Sequence, residues 1–330
     1  MPEIVINGRF LSRRITGVER YGREILSLIG SKCRVERTRG NGMAGHMWEQ
    51  FLLPSQLSSK SLLWSPANTG PLAVHQQALT IHDLSPLEHP EYFKKSFSSW
   101  YRLFLPLLAK KVQVVFTPSR YVQRKVMDRF GIQNVIVTPN GVNRACFTPE
   151  ARPTRFDLPE RFILFVGSLQ PGKNIQALLQ AWSYLKEEYP DLWLVIAGDQ
   201  GSVFKPVKLT IVEHVHYLGY VAERDLPGLY AKALLFVLPS LDEGFGLPAL
   251  EAMACGTPVI VSDGGALPEV VGDAALVFKS SERGSLPGAI RECLMNKDLS
   301  SALIASGFER IGHFHWQYSA ELIWKTLNEI

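Results

Sequence analysis

Apolar residues recur along the chain in two patterns: short unbroken runs, and stripes spaced three and four residues apart. In the first half, runs at 3–6, 62–64, 78–81, 112–116 and 135–137 predict buried strands, and stripes at 18–28, 47–53, 97–111 and 121–130 predict helices between them. The second half repeats the theme more regularly. Strands are expected there at 162–166, 192–197, 215–217, 234–238, 258–261 and 275–278, with helices at 175–188, 225–232, 248–254, 286–295 and 299–311. Strands apolar throughout and alternating with helices imply parallel sheets covered on both faces. Pro149, Pro153 and Pro159 fall within residues 148–160, which read as a linker because proline fixes an extended φ and donates no hydrogen bond. The predicted fold class is α/β, with two doubly wound parallel-sheet lobes joined near residue 150. Such sheets bind ligands beyond the carboxyl ends of their strands, so a site is expected in the cleft between the domains.

Composition narrows the class. A chain of 330 residues exceeds what one core usually fills, and 46% hydrophobic with 20% charged residues excludes a disordered or fibrous protein. No apolar run approaches the roughly 20 residues of a membrane span, and residues 1–10 read as a strand rather than a signal peptide. Cys33, Cys146, Cys255 and Cys293 are scattered, so neither a disulfide framework nor a zinc site is suggested and a reducing cytoplasm is expected. The net charge of +4 hides an asymmetry: residues 1–150 hold 20 Lys and Arg against 10 Asp and Glu, and residues 151–330 hold 15 against 21. A basic half joined to an acidic half suggests different partners for the two domains.

Three motifs compete for the chemistry. Gly167-Ser-Leu-Gln-Pro-Gly-Lys173 fits the start of a phosphate-binding P-loop, but Asn174 stands where Ser or Thr should hold magnesium, and Pro171 removes an amide from the cradle. A simpler reading keeps Lys173 as one cation beside a helix start, favouring phosphate. Gly244-Phe-Gly-Leu-Pro-Ala249 fits a dinucleotide fingerprint with Asp263 as its ribose acid, but residues 239–243 separate the preceding strand from the glycines. The third motif contains the second: Glu243 and Glu251 flank the glycine turn, and Pro248 suits the first turn of a helix. The amides of Phe245, Gly246 and Leu247 would then face an anion, with both carboxylates holding hydroxyls of the same ligand and Glu251 in the first helical turn. A nucleotide sugar has that combination of diphosphate and hydroxyls.

The stretch from Glu243 to Phe278 resembles the C-terminal lobe of retaining GT-B glycosyltransferases of family 4, also called group 1. Val166-Gly-Ser-Leu-Gln-Pro-Gly-Lys-Asn174 resembles that family's phosphate loop, Pro139-Asn-Gly-Val its interdomain strand end, and Ile81-His-Asp-Leu its N-terminal active-site loop. Thr16-Gly-Val-Glu-Arg-Tyr resembles its first glycine loop, and Trp48-Glu-Gln recurs in a bacterial mannosyltransferase-like subgroup. The resemblance implies two facing Rossmann-like domains, an acceptor-binding one at 1–150 and a nucleotide-sugar-binding one at 151–312, with 313–330 crossing back to the first. By resemblance, Glu243, His82 and Lys173 are the catalytic group: Glu243 on the donor hexose, His82 on the sugar from the opposite lobe, Lys173 on the leaving diphosphate. Gly17, Asn140, Val221, Phe245, Gly246, Leu247 and Glu251 are substrate-binding, with Glu251 on the donor ribose, Gly17 admitting the diphosphate and the base beside Val221.

The implied activity is retaining, metal-independent hexosyl transfer without a cofactor, from a nucleotide sugar (GDP-mannose favoured, UDP-sugars open) to a glycan or lipid-linked acceptor in surface polysaccharide synthesis. A P-loop ATPase or a non-catalytic sugar-nucleotide-binding protein is the alternative, and no nucleic-acid partner is expected. Two positions depart from the family: Gly172 replaces a frequent arginine before the phosphate lysine, and Asn143 replaces a frequent aspartate. Arg9, Arg13, Arg14 and Arg20 are candidates for the missing cation. Residues 94–111 combine Phe97, Trp100, Tyr101, Phe104 and Leu107 with five basic residues, so they read either as an ordinary core-facing helix or as a helix resting on anionic lipid, at the cytoplasmic face of an inner membrane.

Overall fold

The computed structural model describes residues 2–38, 40, 42–152 and 154–330; Met1 and Pro153, named above in the start and the linker, lie outside the described residues. Two compact units form. The first takes the described residues up to Pro90, Lys95–Gly141 and His315–Ile330; the second takes Glu91–Lys94 and the described residues of Val142–Phe314. The change of unit thus falls at Gly141, ahead of the proline-rich stretch from which a boundary at 150 was read, and residues 142–150 pack with the second unit.

In the first unit, β1 (Glu3–Asn7), β2 (Arg34–Glu36), β3 (Ser61–Ser65), β4 (Gln77–Thr80), β5 (Val114–Thr117) and β6 (Val135–Val137) form a parallel sheet in the order β2-β1-β3-β4-β5-β6. The predicted α/β pattern holds. The edge strand β2 was not predicted because Arg-Val-Glu carries no apolar run. Strand order reverses between β1 and β3, and the loops leaving that point diverge into a crevice. The helices are α1 (Gly17–Ile29), α2 (Gly42–Met47), α3 (Ser85–Glu88), α4 (Lys95–Lys111) and α5 (Arg120–Phe130), joined by the C-terminal helix Trp316–Glu329. The helix expected at 47–53 is α2 followed by a π-helical turn, Trp48–Leu52. Ser119 caps α5 by accepting from Val122 N at 3.2 Å, and Gly131 ends it in the left-handed region at φ 67°. The C-terminal helix is held on this sheet by Ser319, whose hydroxyl donates to Pro139 O at 2.5 Å, and by Gly141, where any Cβ would collide with the Trp316 backbone.

In the second unit, β7 (Phe162–Val166), β8 (Trp193–Ala197), β9 (Val215–Gly219), β10 (Leu235–Leu238), β11 (Val259–Ser262) and β12 (Leu276–Phe278) pair in parallel as β12-β11-β10-β7-β8-β9. The helices are α6 (Ile175–Glu188), α7 (Leu226–Lys232), α8 (Leu247–Ala254), α9 (Leu267–Val271), α10 (Ser285–Met295) and α11 (Lys297–Ile311). Trp182, Tyr230, Phe162, Phe165 and Phe236 are fully buried in its core. Burying a large apolar side chain contributes about 1.5–3 kcal/mol, so these strands and helices are ordered mainly by packing. The order reverses between β7 and β10, and the two loops leaving that crevice carry Lys173 and Glu243.

Candidate active site

The loop after β7 shows why a lysine, rather than a cradle of amides, is what it offers an anion. Gly167 N donates to Ala197 O at 3.0 Å, Leu169 N to Asp199 O at 2.8 Å, Gln170 N to Ser168 O at 2.9 Å, and Lys173 N to Gln170 O at 3.0 Å. The Gly172 amide is taken by the Gln170 side chain at 2.8 Å, Asn174 N bonds Pro171 O at 3.0 Å, and Pro171 has no amide to give. A P-loop needs those donors free, so the ATPase reading loses its phosphate cradle. The Lys173 ammonium instead forms an ion pair with Glu243 Oε1, and Ser240 Oγ donates to the same oxygen at 2.7 Å. Leu241 N donates to Gly172 O at 2.8 Å, tying the two loops together by backbone.

Glu243, only 9% exposed, is shaped from behind by Gly264 and Gly265. A Cβ on Gly264 would collide with Ser240 O, and one on Gly265, at φ 67°, with the Glu243 backbone. Ala266 N donates to Glu243 O at 2.8 Å, and Ser262 Oγ donates to Ser240 O. Asp263 is occupied elsewhere: its Oδ1 accepts from Ser280 N at 3.0 Å and Ser280 Oγ at 2.7 Å, which hold its carboxyl below the usual range. The dinucleotide reading therefore loses its ribose acid. Gly246 caps α8 at φ 100°, with Leu267 Cδ2 only 2.5 Å from where a Cβ would stand, so backbone and space both require glycine. The amides of Phe245, Gly246 and Leu247 donate to no described residue, and the Phe245 ring packs edge-on against Phe314 at 5.7 Å. Glu251 is the fifth residue of α8, so it stands in the second turn rather than the first. It is buried, and Tyr230 OH donates to its Oε2 at 2.9 Å. Val221 is buried just past β9, whose last residue, Gly219, accepts from Gly198 N at 2.7 Å.

In the first unit, His82 follows β4 and is gripped at both ends. Its Nε2 donates to Pro66 O at 2.8 Å, and its backbone N donates to Asn68 Oδ1 at 2.7 Å. Asn68 holds the left-handed φ of 60°, and its own N bonds Thr80 O at 3.0 Å. Because a carbonyl can only accept, the ring proton sits on Nε2 and the Nδ1 lone pair is left as an acceptor. Burial lowers the His82 pKa, so the ring stays neutral; the Pro66 carbonyl, Asp83 and Glu19 oppose that more weakly. Tyr21 from α1 packs edge-on against His82 at 4.8 Å and Trp316 at 6.0 Å, and its hydroxyl meets Thr138 Oγ1 at 3.1 Å. Asn140, two residues on, is 5% exposed, and its Oδ1 has no hydrogen-bond partner among the described residues. Leaving such an acceptor unmade costs about 1–3 kcal/mol, which a ligand hydroxyl or amide would relieve. Gly17 opens α1 with nothing within 4 Å of a Cβ placed there, so the protein itself does not demand glycine at that position.

A glycosyl transferases group 1 model matches residues 147–310, and a glycosyltransferase family 4 model matches residues 71–146. The O-antigen chain mannosyltransferase B of Escherichia coli is 33% identical over 265 residues, covering 75% of this chain and 68% of the relative. The chain belongs to glycosyltransferase family 4. The O-antigen chain mannosyltransferase RfbU of Salmonella typhimurium is 29% identical over 248 residues, covering 74% of this chain and 68% of that one. Among solved structures, Anabaena HepE in complex with UDP-glucose superposes with a TM-score of 0.75 over the whole of both chains at 17% identity. The architecture is GT-B, as the resemblance implied.

Several parts of this glycosyltransferase's site were missed from sequence. Tyr230, Ser240 and Asn68 orient the singled-out residues, yet nothing in their spacing marks them; Tyr21, which ends the motif Thr16-Gly-Val-Glu-Arg-Tyr, and the Gly264-Gly265 pair were the visible signals. The position of the missing arginine is tight: a Cβ at Gly172 would lie 3.0 Å from Gln170 Oε1 and 3.3 Å from Tyr92 Cε2. Of the candidate cations, Arg9 is excluded. It is 3% exposed and donates to Glu49 Oε2 at 2.9 Å and Thr69 Oγ1 at 3.0 Å, while Asn7 Nδ2 donates to Glu49 Oε1 at 2.8 Å. Arg13 lies 3.6 Å from Glu19.

Proposed function

We propose that this glycosyltransferase transfers a hexose, mannose favoured, from a nucleotide sugar to a glycan or lipid-linked acceptor in surface polysaccharide synthesis. The anomeric configuration is kept and no metal is required. The observation that carries the reading is the Lys173–Glu243 pair at the reversal point of the second sheet, beside the unpartnered amides that open α8. Lys173 turns from Glu243 toward the donor diphosphate and stabilises its charge as the C1–O bond breaks. Glu243 is freed to accept from hexose hydroxyls, and Glu251 Oε1 accepts from the ribose. The acceptor oxygen bonds to C1 on the face the diphosphate leaves, and its proton passes to the departing phosphate oxygen. Charge placed where it develops in the transition state is usually the largest catalytic contribution. From the first unit, His82 Nδ1 and Asn140 accept from sugar hydroxyls, and Gly17 admits the diphosphate beside the start of α1.

Mannose is favoured because two relatives are named O-antigen mannosyltransferases, and GDP-mannose follows as the donor to try first. A UDP-sugar stays open, since HepE was solved with UDP-glucose. We place the reaction at the cytoplasmic face of the inner membrane, with the enzyme in peripheral contact. The test is a thermal-shift screen across sugar nucleotides, followed by product analysis with and without chelator. A ligand at ~100 times its dissociation constant raises apparent stability by ~2.7 kcal/mol. Stabilisation by GDP-mannose, lost in Glu251→Ala, together with an α-linked product formed in chelator, supports the reading. Binding without transfer to any acceptor would make the protein a sugar-nucleotide sensor, and turnover restored only by manganese would overturn metal independence.

A further inference from the structure

The first unit exposes apolar side chains in one place to a degree that needs an occupant. Met43, Met47, Phe51 and Leu52 on α2 and its π-helical turn, and Leu103 and Leu107 on α4, are each between 53% and 67% exposed. Single exposed leucines are ordinary, but a contiguous apolar patch on a protein marks an interaction surface. Within each element these residues share a face by helical spacing, and the two elements meet through residues beside them. Met43, Met47 and Phe51 repeat at intervals of four, as do Leu103 and Leu107. Between the two stripes, the His46 ring meets Trp100 at 4.9 Å, Trp100 stacks on Phe104 at 3.7 Å, and Gln50 shares a small crevice with both.

The aromatic residues that made 94–111 resemble a lipid-binding helix do not supply this face. Tyr101 is buried and Phe97 packs on it at 4.6 Å, while Lys94 belongs to the second unit and Lys111 donates to Leu72 O at 2.5 Å. The outward side is leucine and methionine, with Phe51, instead. Methionine's flexible thioether suits a fluid, irregular partner.

Charge decides between occupants. Lys95, Arg102 and Lys110 are exposed on α4, and neither α4 nor the segment 42–52 exposes a carboxylate, because the one acid there, Glu49, is fully buried. A second copy docked two-fold on this face would set these cations against their own equivalents. An anionic bilayer complements them, and its headgroup boundary accepts the apolar tips. We propose that the α2–π turn and α4 form one membrane-docking surface, in which Met43, Met47, Phe51, Leu52, Leu103 and Leu107 enter the acyl boundary of an anionic leaflet. This rests on the reading above that the enzyme works at a membrane, and it names the face that does so.

The test is co-sedimentation of the full chain with phosphatidylcholine vesicles, with and without about a third phosphatidylglycerol, at low and high salt. The wild-type protein should partition to the anionic vesicles at low salt. The double variant Met47→Ser, Phe51→Ser should bind about tenfold more weakly, and Arg102→Glu, Lys110→Glu should lose the salt-sensitive part. Both should keep the wild-type thermal shift with GDP-mannose and transfer to a water-soluble acceptor. No partitioning by the wild type, or equal partitioning by Met47→Ser, Phe51→Ser, overturns the proposal. So does a dimer in sedimentation velocity that dissociates on the same substitutions. Transfer without vesicle binding defeats this surface alone, whereas vesicle binding without transfer of any sugar defeats the enzymatic reading and leaves the surface standing.

Discussion

The two sheets present their crevices with opposite chemistry. At the reversal point of the second sheet, charged side chains face one another: Lys173 pairs with Glu243, and Glu251 is held by a tyrosine hydroxyl. In the first, the group of interest is a neutral imidazole fixed by a proline carbonyl and an asparagine in left-handed backbone, with a charged pair, Arg9 and Glu49, sealed beneath the loops. The second unit holds ionic groups that a ligand can compete for; the first spends its ions on rigidity and offers lone pairs. Ionic groups suit a charged ligand such as a phosphate, and fixed neutral lone pairs suit hydroxyls, so each crevice favours its own chemistry.

Removing the cation should break that contrast most sharply. Lys173→Ala is expected to lower kcat by ~10²–10³-fold, the range seen when a transition-state donor is deleted, with a much smaller change in donor KM. Single-turnover and steady-state measurements separate the two. A variant losing only KM would assign Lys173 to ground-state binding. Its partner Glu243 also needs the turn behind it. Gly265→Ala places a Cβ on the Glu243 backbone at a φ of 67°, so it should cost about 1–3 kcal/mol of stability and reduce turnover, readable in Tm and kcat together.

Tyr230→Phe keeps the ring packing against Phe236 at 5.5 Å but deletes the donor to Glu251. A hydrogen bond to a charged group contributes about 1.5–3 kcal/mol, part of which water will replace, so donor KM should rise about tenfold with kcat nearly unchanged. Equal loss of both would place Tyr230 in the transition state instead. On the other sheet, Asn68→Asp keeps an acceptor for the His82 amide, whereas Asn68→Gly keeps the backbone angle and removes the acceptor. A few-fold fall in kcat in the glycine variant, rescued by aspartate, would show that Asn68 acts by positioning His82. Identical kinetics in the two would break that link.

The same contrast explains what was legible in the sequence. Strand runs and helical stripes reported burial directly, so both sheets were visible apart from β2, whose three residues sit at an edge with no apolar run. Glu243, Glu251 and Lys173 could be singled out because residue type and spacing set them apart. Their supports could not. Tyr230 lies on α7, twenty-one positions from Glu251, and meets it only because both helices pack on the same sheet. Asn68 acts through its backbone angle, which composition does not report. Arg9 shows the reverse failure: as a residue type it looked available, and only burial against Glu49 reveals that it is committed. The apolar stripe of α4 left two readings open for the same reason, since stripe and solvent face cannot be told apart until the helix is packed.

The smallest expected effect tests the neutrality of the first unit rather than its catalysis. His46 packs on Trp100 with its Nδ1 3.8 Å from Glu49, and its pKa is pushed down to about 3, mainly by burial and secondarily by Arg9 and Arg13. In the unfolded chain it returns to the ordinary value near 6.5. Above that value both states are neutral and the group is silent. As pH falls from about 6.5 toward 3, the unfolded chain takes up a proton that the folded one refuses, so stability is lost across that window. His82, lowered in the same direction, adds to the loss. His46→Gln removes one of these protons without adding charge. Its Tm should match or fall slightly below the wild type at pH 7, where the ring stack is the only difference, and should gain on the wild type steadily as pH is lowered to 4.5. Parallel Tm curves for the two proteins would mean that the ring is protonated in the folded state, with Glu49 as its counter-ion, and the first unit would then be as ionic in its workings as the second.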